Sequence, residues 1–402
     1  MARGRILIVG AGHSGLLLAL ALERSGLALS VVESEPLDAI LDAPFTGRAL
    51  ALMYGSKRVF DALDLWGAID RLAQPIQGVR VLDQATGAGI AYDAAEVGDH
   101  PFAYGIENRL LRASLLQQAQ DRSRIEILAP ARLERLQRAP GTIVAHLDRG
   151  RSWKGDLVVG ADGRQSTVRA LAGIGTARSQ YRQTALTFAI RHERTHEQRV
   201  REYLRPSGPL ALLPIGPRLC SVTWIERTDD ARRLLEGGDG GLRAALEHRL
   251  DGALGALRIA GSPAGYPLST QQARRSVGPR VVLIGDAAQG VHPIHAQGFN
   301  LGVRDVAALA EILTGVARAG ADPGDSEHLL RYERWRGSDV RLVLTMTDGL
   351  NRLFSNDLAP AKLIRTLGLA ALDRVGPLKH LAMRRGMGLA GDLPELARGN
   401  AL

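Results

Sequence analysis

The apolar run Ile6 to Val9 is short and unbroken, with the texture of a buried parallel strand. The glycine-rich stretch Gly10 to Gly15 predicts a tight turn, Leu16 to Arg24 a helix, and Ser30 to Glu33 a second strand. Together they make a βαβ unit. Arg48 to Trp66 reads as a loop entering a helix, and Asn108 to Asp121 as another helix. Ile125 to Leu128, Ile143 to Leu147 and Leu157 to Val159 read as strands, the last running into Gly160. Between Gln183 and Glu226 the pattern alternates, with strands over Thr184 to Arg191, Arg201 to Leu204, Pro209 to Pro214 and Leu219 to Trp224 between Pro and Gly turns. That texture predicts a separate, mainly antiparallel sheet. Val281 to Ile284 is again a short apolar strand, so the chain is expected to return to its first unit, and helical periodicity dominates from Asp305 onward.

At 402 residues, 45% of them apolar, the chain is long enough for two or three structural units that share one site. The single cysteine, Cys220, excludes an intrachain disulfide and a multi-cysteine metal cluster, fits a reducing cytoplasm, and reads as a small core hydrophobe. A formal charge of +9 implies attraction to an anionic partner. Aromatics are only 4% and the arginines are scattered, which disfavours nucleic acid. Met1 to Arg5 before Ile6 imitates a signal peptide, but glycines interrupt the apolar run and no cleavage site follows. No segment is apolar enough to predict a spanning helix.

Three motifs carry candidate chemistry. In Gly10-Ala11-Gly12-His13-Ser14-Gly15, Gly10 permits the turn, Gly12 lets backbone approach a pyrophosphate, and Gly15 allows close helix packing. Glu33, at the end of the second strand, can accept hydrogen bonds from ribose hydroxyls. His13 and Ser14 take no catalytic role. The motif alone does not separate NAD from FAD. The second motif, Gly160-Ala161-Asp162-Gly163 with Ser166, Val168 and Arg169, and the third, Gly285-Asp286-Ala287-Ala288, each put an acid after a strand. Asp162 and Asp286 can serve as helix caps and also meet ligand hydroxyls. Downstream, His292-Pro293 and Gln297-Gly298-Phe299-Asn300-Leu301-Gly302 offer backbone N–H groups to a planar ligand edge, with His292 shaping the loop. His292 and His295 are three apart, yet no further ligand stands at a metal-site spacing, so no metal is expected.

The three motifs, in this order, resemble the class A flavoprotein aromatic hydroxylases of the para-hydroxybenzoate hydroxylase type. The resemblance implies FAD, with NAD(P)H as co-substrate. It puts the ADP part of FAD on Gly10, Gly12, Gly15 and Glu33, further FAD and NAD(P)H contact on Asp162, and the ribityl chain on Asp286. Arg48 resembles the family arginine on a cofactor-contacting loop, and Asn108 with Arg109 the polar pair opening a cofactor-facing helix. Gly298 and Asn300 fall in the segment expected at the flavin, with His292 and Pro293 near it. No catalytic base is named.

Tyr104 to Arg109, His292 to Val306, Asp348 to Asn356 and Met387 to Pro394 are similar to the ubiquinone-biosynthesis hydroxylase branch. His295-Ala296 departs from it, standing where that branch usually has Ala-Gly. The resemblance implies an α/β fold: a Rossmann-like FAD-binding domain over 1–178 and 271–345, an inserted, mainly antiparallel β-sheet substrate domain over 179–270, and a helical C-terminal region over 346–402. It implies a monooxygenase hydroxylating a polyprenylated phenol with O2 through a flavin C4a-hydroperoxide. Alternatives are a flavin reductase of isoprenoid lipids and an FAD-fold binding protein for prenylated clients. Phe188, Leu212 and Trp224 are expected to be half core and half cavity wall.

In 357–402, Leu363, Ile364, Leu367, Ala371 and Val375 recur at helical spacing among Lys362, Arg365, Arg374, Lys379, Arg384 and Arg385. Packing of the apolar side on the main body is the default, while the resemblance favours a membrane-surface helix. It further implies a cytoplasmic protein, peripheral on the inner face of the membrane, in complex with other ubiquinone-biosynthesis proteins.

Overall fold

The computed structural model describes residues 4–354 and 359–402. Met1 to Arg3, Ser355 to Leu358 and the side chains of His295, Ala359 and Ala361 lie outside the described residues. The fold is mixed α/β, with one largely parallel sheet, one large and mainly antiparallel sheet, and a helical C-terminal region.

The strands Val281–Leu283, Leu157–Gly160, Arg5–Val9, Ala28–Val32 and Ile125–Leu128 lie side by side and parallel, with Val277–Gly278 added antiparallel at one edge. The register places Val9 opposite Gly160, and Gly160 opposite Leu283. Three segments distant in sequence therefore end at one level, and the loops after them share one rim, where open α/β sheets bind ligands. The helix His13–Leu22 runs back beneath the rim and is buried from Gly15 onward, which is why its sequence shows no polar stripe. It packs on the helices Asn108–Gln120 and Gln297–Ala319.

The large sheet runs Gln289–Gly290, Leu257–Ala273, Thr176–His192, Leu219–Arg227, Leu210–Gly216, Arg199–Leu204, Gly78–Asp83, Gly89–Asp93. All neighbours are antiparallel except Arg199–Leu204 with Gly78–Asp83. Two of its strands, Gly78–Asp83 and Gly89–Asp93, thus come from within residues 1–178. The stretch after Arg48 also differs from expectation, because Ala49–Met53 is a strand and the helix begins only at Tyr54.

Phe188, Leu212 and Trp224 are fully buried and pack with Leu242, Leu246 and Leu250 of the helix Gly238–Leu250. They are core, not cavity wall. Cys220 lies in the same core, its Sγ 3.4 Å from His192 Nε2, and burial pushes the thiol up to about 12.

After Gln297–Ala319 come the helices Ser326–Phe354, Ala359–Arg374 and Gly376–Gly386. The default orientation of Ala359–Arg374 is reversed: Leu363, Ile364 and Leu367 face outward and Arg365 is buried. Among the described residues no helix is long and apolar enough to cross a membrane, and no group of three or more His, Cys, Asp or Glu could hold a metal.

Candidate active site

The first turn is shaped by its glycines. Gly10 has φ +106°, and a Cβ there would stand 2.6 Å from the Ala161 carbonyl oxygen, so only glycine lets the first and second motifs touch. A Cβ on Gly15 would meet Gly10 O at 1.9 Å. Gly12 differs, because a Cβ on it would meet no described atom within 4 Å. It faces open space at the start of the helix His13–Leu22, whose first N–H groups have no partners within the helix.

Glu33, at the end of the strand Ala28–Val32, is almost fully buried. Its carboxylate accepts from Ala11 N at 2.9 Å and from Arg112 Nη2 at 3.0 Å, while Arg112 also reaches Ala11 O and Glu35. Arg112 was missed by motif reading. Its signal was its place one helical turn after Asn108, on the same face.

Asn108 opens the helix Asn108–Gln120, and its carbonyl receives His13 Nε2 at 3.0 Å. Burial pushes the His13 imidazole down to about 4; the Asn108 carbonyl works against this, while Arg112 and Arg48 work with it. His13 also stands edge-on to Phe299, centroids 5.6 Å apart. Arg109 turns to Glu107 at 2.8 Å and to Phe45, so its cation is spent along its own loop. Arg48 is exposed and stacks on Tyr266 at 4.7 Å.

In the second motif Asp162 Oδ2 accepts from Val168 N at 3.0 Å, and the Ser166 hydroxyl caps the same helix through Arg169 N. Asp162 therefore does cap. Its other oxygen, Oδ1, is buried and has no hydrogen-bond partner among the described residues, and the same holds for Asn108 Oδ1. Arg164, also missed, joins the motifs: it donates to Ser269 O at 2.8 Å and Val291 O at 2.9 Å, and lies 3.4 Å from Asp286. The Asp286 side chain is 47% exposed, yet the crowding of nearby protein pushes its carboxyl upward, with Arg164 and Arg48 opposing.

The third motif is held from behind. Asp305 is fully buried and accepts from Gly285 N at 3.0 Å and Arg336 Nε at 2.8 Å; Arg336 and Arg304 then share Asp339. Asn300 is completely enclosed and fully used, accepting from Met53 N and Ser56 Oγ and donating to Ala51 O and Ala296 O. Its side chain thus brackets the helix Gln297–Ala319 to the strand Ala49–Met53.

Gly298 lies in the first turn of Gln297–Ala319, and a Cβ on it would only touch Val291. Ala296, just before, has φ +50°, the left-handed region that favours glycine. His292 is fully buried, its Nδ1 accepts from Ile294 N at 3.3 Å, and its ring meets Tyr181 edge-on at 5.1 Å; Pro293 follows at φ −70°. Tyr181 also lines a cleft of about 840 Å³ with Gln183, Pro206, Arg227, Asn351 and Arg352, between the large sheet and the helix Ser326–Phe354.

The rim suits a dinucleotide that also presents hydroxyls. Gly12 leaves the space a pyrophosphate needs, and the two orphaned oxygens of Asn108 and Asp162 are acceptors waiting for donors. FAD meets both conditions.

Comparison with known proteins agrees. The FAD binding domain family matches residues 3–346. The chain is 42% identical to ubiquinone hydroxylase UbiL of Rhodospirillum rubrum over 98% of this chain and 92% of that protein. It is 31% identical to 3-demethoxyubiquinol 3-hydroxylase of Escherichia coli over 96% and 98% respectively. Among solved structures it superposes on p-nitrophenol 4-monooxygenase PnpA of Pseudomonas putida with TM-score 0.81 at 20% identity, covering 96% of this chain and 98% of that one. Pseudomonas aeruginosa PqsL bound to 2-aminobenzoylacetate gives TM-score 0.79 at 25% identity, covering 91% and 99%. The motifs, the shared rim and these similarities converge: the chain belongs to the FAD binding domain family and, within it, to the ubiquinone hydroxylases.

Proposed function

We propose that this FAD-dependent hydroxylase adds oxygen to the aromatic ring of a polyprenylated phenol in ubiquinone biosynthesis, working at the inner face of the membrane. The observation that carries the reading is the convergence of the three motifs on one rim, with buried acceptors on Asn108 and Asp162 still unspent. The similarity to ubiquinone hydroxylases supports the substrate class.

FAD held here would supply hydride acceptance from NAD(P)H and activation of O2. The protein's own part is placement. Gly12 and the N-terminus of His13–Leu22 receive the pyrophosphate, Glu33 and Arg112 hold the ribose end, and Asn108 and Asp162 accept hydrogen bonds from the cofactor's hydroxyls. Asp286 takes the ribityl chain with Arg164 beside it. The first N–H groups of Gln297–Ala319, at the positive end of that helix, would hold the flavin edge. His292 and Tyr181 lie between that edge and the cleft, which gives a ring substrate an aromatic wall. His13, held neutral by burial, adds no charge beside the phosphates.

The test is isotopic. Purified protein with bound FAD, NAD(P)H, labelled O2 and a short-tailed prenylated phenol is expected to yield a hydroxylated ring carrying the label. Label arriving from water, or turnover that persists under strict anaerobiosis, overturns the proposal. Accumulation of an under-hydroxylated quinone precursor in cells lacking the gene would name the ring position.

A further inference from the structure

The helix Ala359–Arg374 is folded inside out. Its inner side carries Arg365, only 1% exposed, with Nε 3.2 Å from the buried Asp83 carboxylate and Leu369 and Leu372 alongside. Its outer side carries Leu363, Ile364 and Leu367, which are 61%, 58% and 60% exposed. At 3.6 residues per turn these three fall within about 100° of one another, on the face opposite Arg365.

A helix that merely sought a core would roll the other way, since burying an ion pair costs desolvation that leucines do not incur. Asp83 fixes the roll. Its carboxylate is already held by Ala85 N and Thr86 Oγ1 in the turn after the strand Gly78–Asp83, so Arg365 docks on a prepared anion.

Further exposed apolar residues follow directly after this helix. Val375 joins it to Gly376–Gly386, where Leu378 and Leu381 are again exposed. Arg374, Arg384 and Arg385 stand exposed around the leucines and make no ion pair among the described residues; Asp373 is the one exposed acid among them. Lys379 is turned inward to Glu96.

We propose that this face, built from Leu363, Ile364, Leu367, Val375, Leu378 and Leu381, seats the protein on an anionic phospholipid bilayer. The basic rim decides between occupants. A second copy would bring the same positive rim to the contact, whereas anionic headgroups neutralise it, and leucines beneath an arginine border are the pattern of a helix lying in the interface. The net charge of +9 works in the same sense. The proposal deepens the membrane contact in the function proposed above and gives it a surface.

The test uses the full-length holoprotein and vesicle flotation. Wild type is expected to float with vesicles of phosphatidylcholine plus phosphatidylglycerol and much less with phosphatidylcholine alone. Combined Leu363→Ser, Ile364→Ser and Leu367→Ser should weaken flotation at least roughly tenfold. Combined Arg374→Glu, Arg384→Glu and Arg385→Glu should abolish the preference for anionic vesicles. Equal flotation of the serine variant and wild type overturns the proposal. So does a wild-type dimer, seen by sedimentation, that the serine variant disperses while neither protein floats. Turnover of a water-soluble, short-tailed phenol is measured in the same preparations and should be equal in all of them. Failure of wild type in that assay counts against the proposed reaction alone, because flotation does not depend on it.

Discussion

The path of the turn Gly10 to Gly15 is set by close backbone approaches at its glycines, with Glu33 and Arg112 gripping Ala11, whereas the turn at Gly285 is held by side chains from two later helices. In the first, close contacts of Gly10 and Gly15 set the path, and every residue of the motif lies within six positions. In the third, Gly285 N is fixed by Asp305, Asp305 by Arg336, and Arg336 by Asp339. A cradle of the first kind fails where a Cβ is added. One of the second kind fails where a buried charge loses its partner.

The largest effect should come from the third motif. Asp305→Ala leaves Arg336 buried without its main counter-charge, and a loss of about 3–5 kcal/mol is expected in chemical denaturation. A loss under about 1 kcal/mol would mean that Asp339 alone sustains Arg336.

In the first motif, two glycines separate fold from ligand. Gly15→Ala puts a Cβ against Gly10 O and should cost both stability and bound flavin. Gly12→Ala meets no described atom. It should leave the melting temperature of the flavin-free protein unchanged while weakening FAD binding about tenfold, or about 1.4 kcal/mol. Equal FAD affinity in Gly12→Ala would place the pyrophosphate elsewhere.

His13 gives the first motif a pH dependence. Its folded-state value of about 4 lies below the ordinary 6.5, so the unfolded chain takes up the proton first. Stability should therefore be full above pH 6.5 and fall as pH drops toward 4, by about 3 kcal/mol from this group. Denaturation midpoints of wild type minus His13→Asn isolate that contribution; a flat difference would show that His13 stays hydrated.

The smallest change is expected at Ala296. With φ at +50° it sits where glycine is unstrained, and Ala296→Gly should stabilise the loop by about 1 kcal/mol in thermal melts. No gain would show that the strain is relieved within the loop.

The same contrast explains what the sequence revealed. Glycine spacing and strand-then-acid order are local, so the three motifs and the parallel strands behind them could be read directly. Arg164 and the Asp305–Arg336 pair were invisible, and Arg112 showed only its helical spacing from Asn108, because the partner of each stands far along the chain and only the fold brings the charges together. The bracket made by the Asn300 side chain was likewise unreadable, since spacing cannot tell which backbone an amide will meet. The strands Gly78–Asp83 and Gly89–Asp93 were missed because their sheet is assembled mainly from residues a hundred or more positions later. Helical periodicity located the helix Ala359–Arg374 but not its roll, which a single ion pair to Asp83 sets.

Ser14, an ordinary residue between two functional glycines, ties these halves together. Its hydroxyl lies where a Cβ on either Gly285 or Gly302 would come within 2.8 Å, so the first motif and the third fit only as interlocked surfaces. On the ribosome, the N-terminal turn emerges long before its counterpart and must wait, half-built, until the strand Val281–Leu283 is made and paired. The rim is consequently completed only once both motifs have been made and packed together.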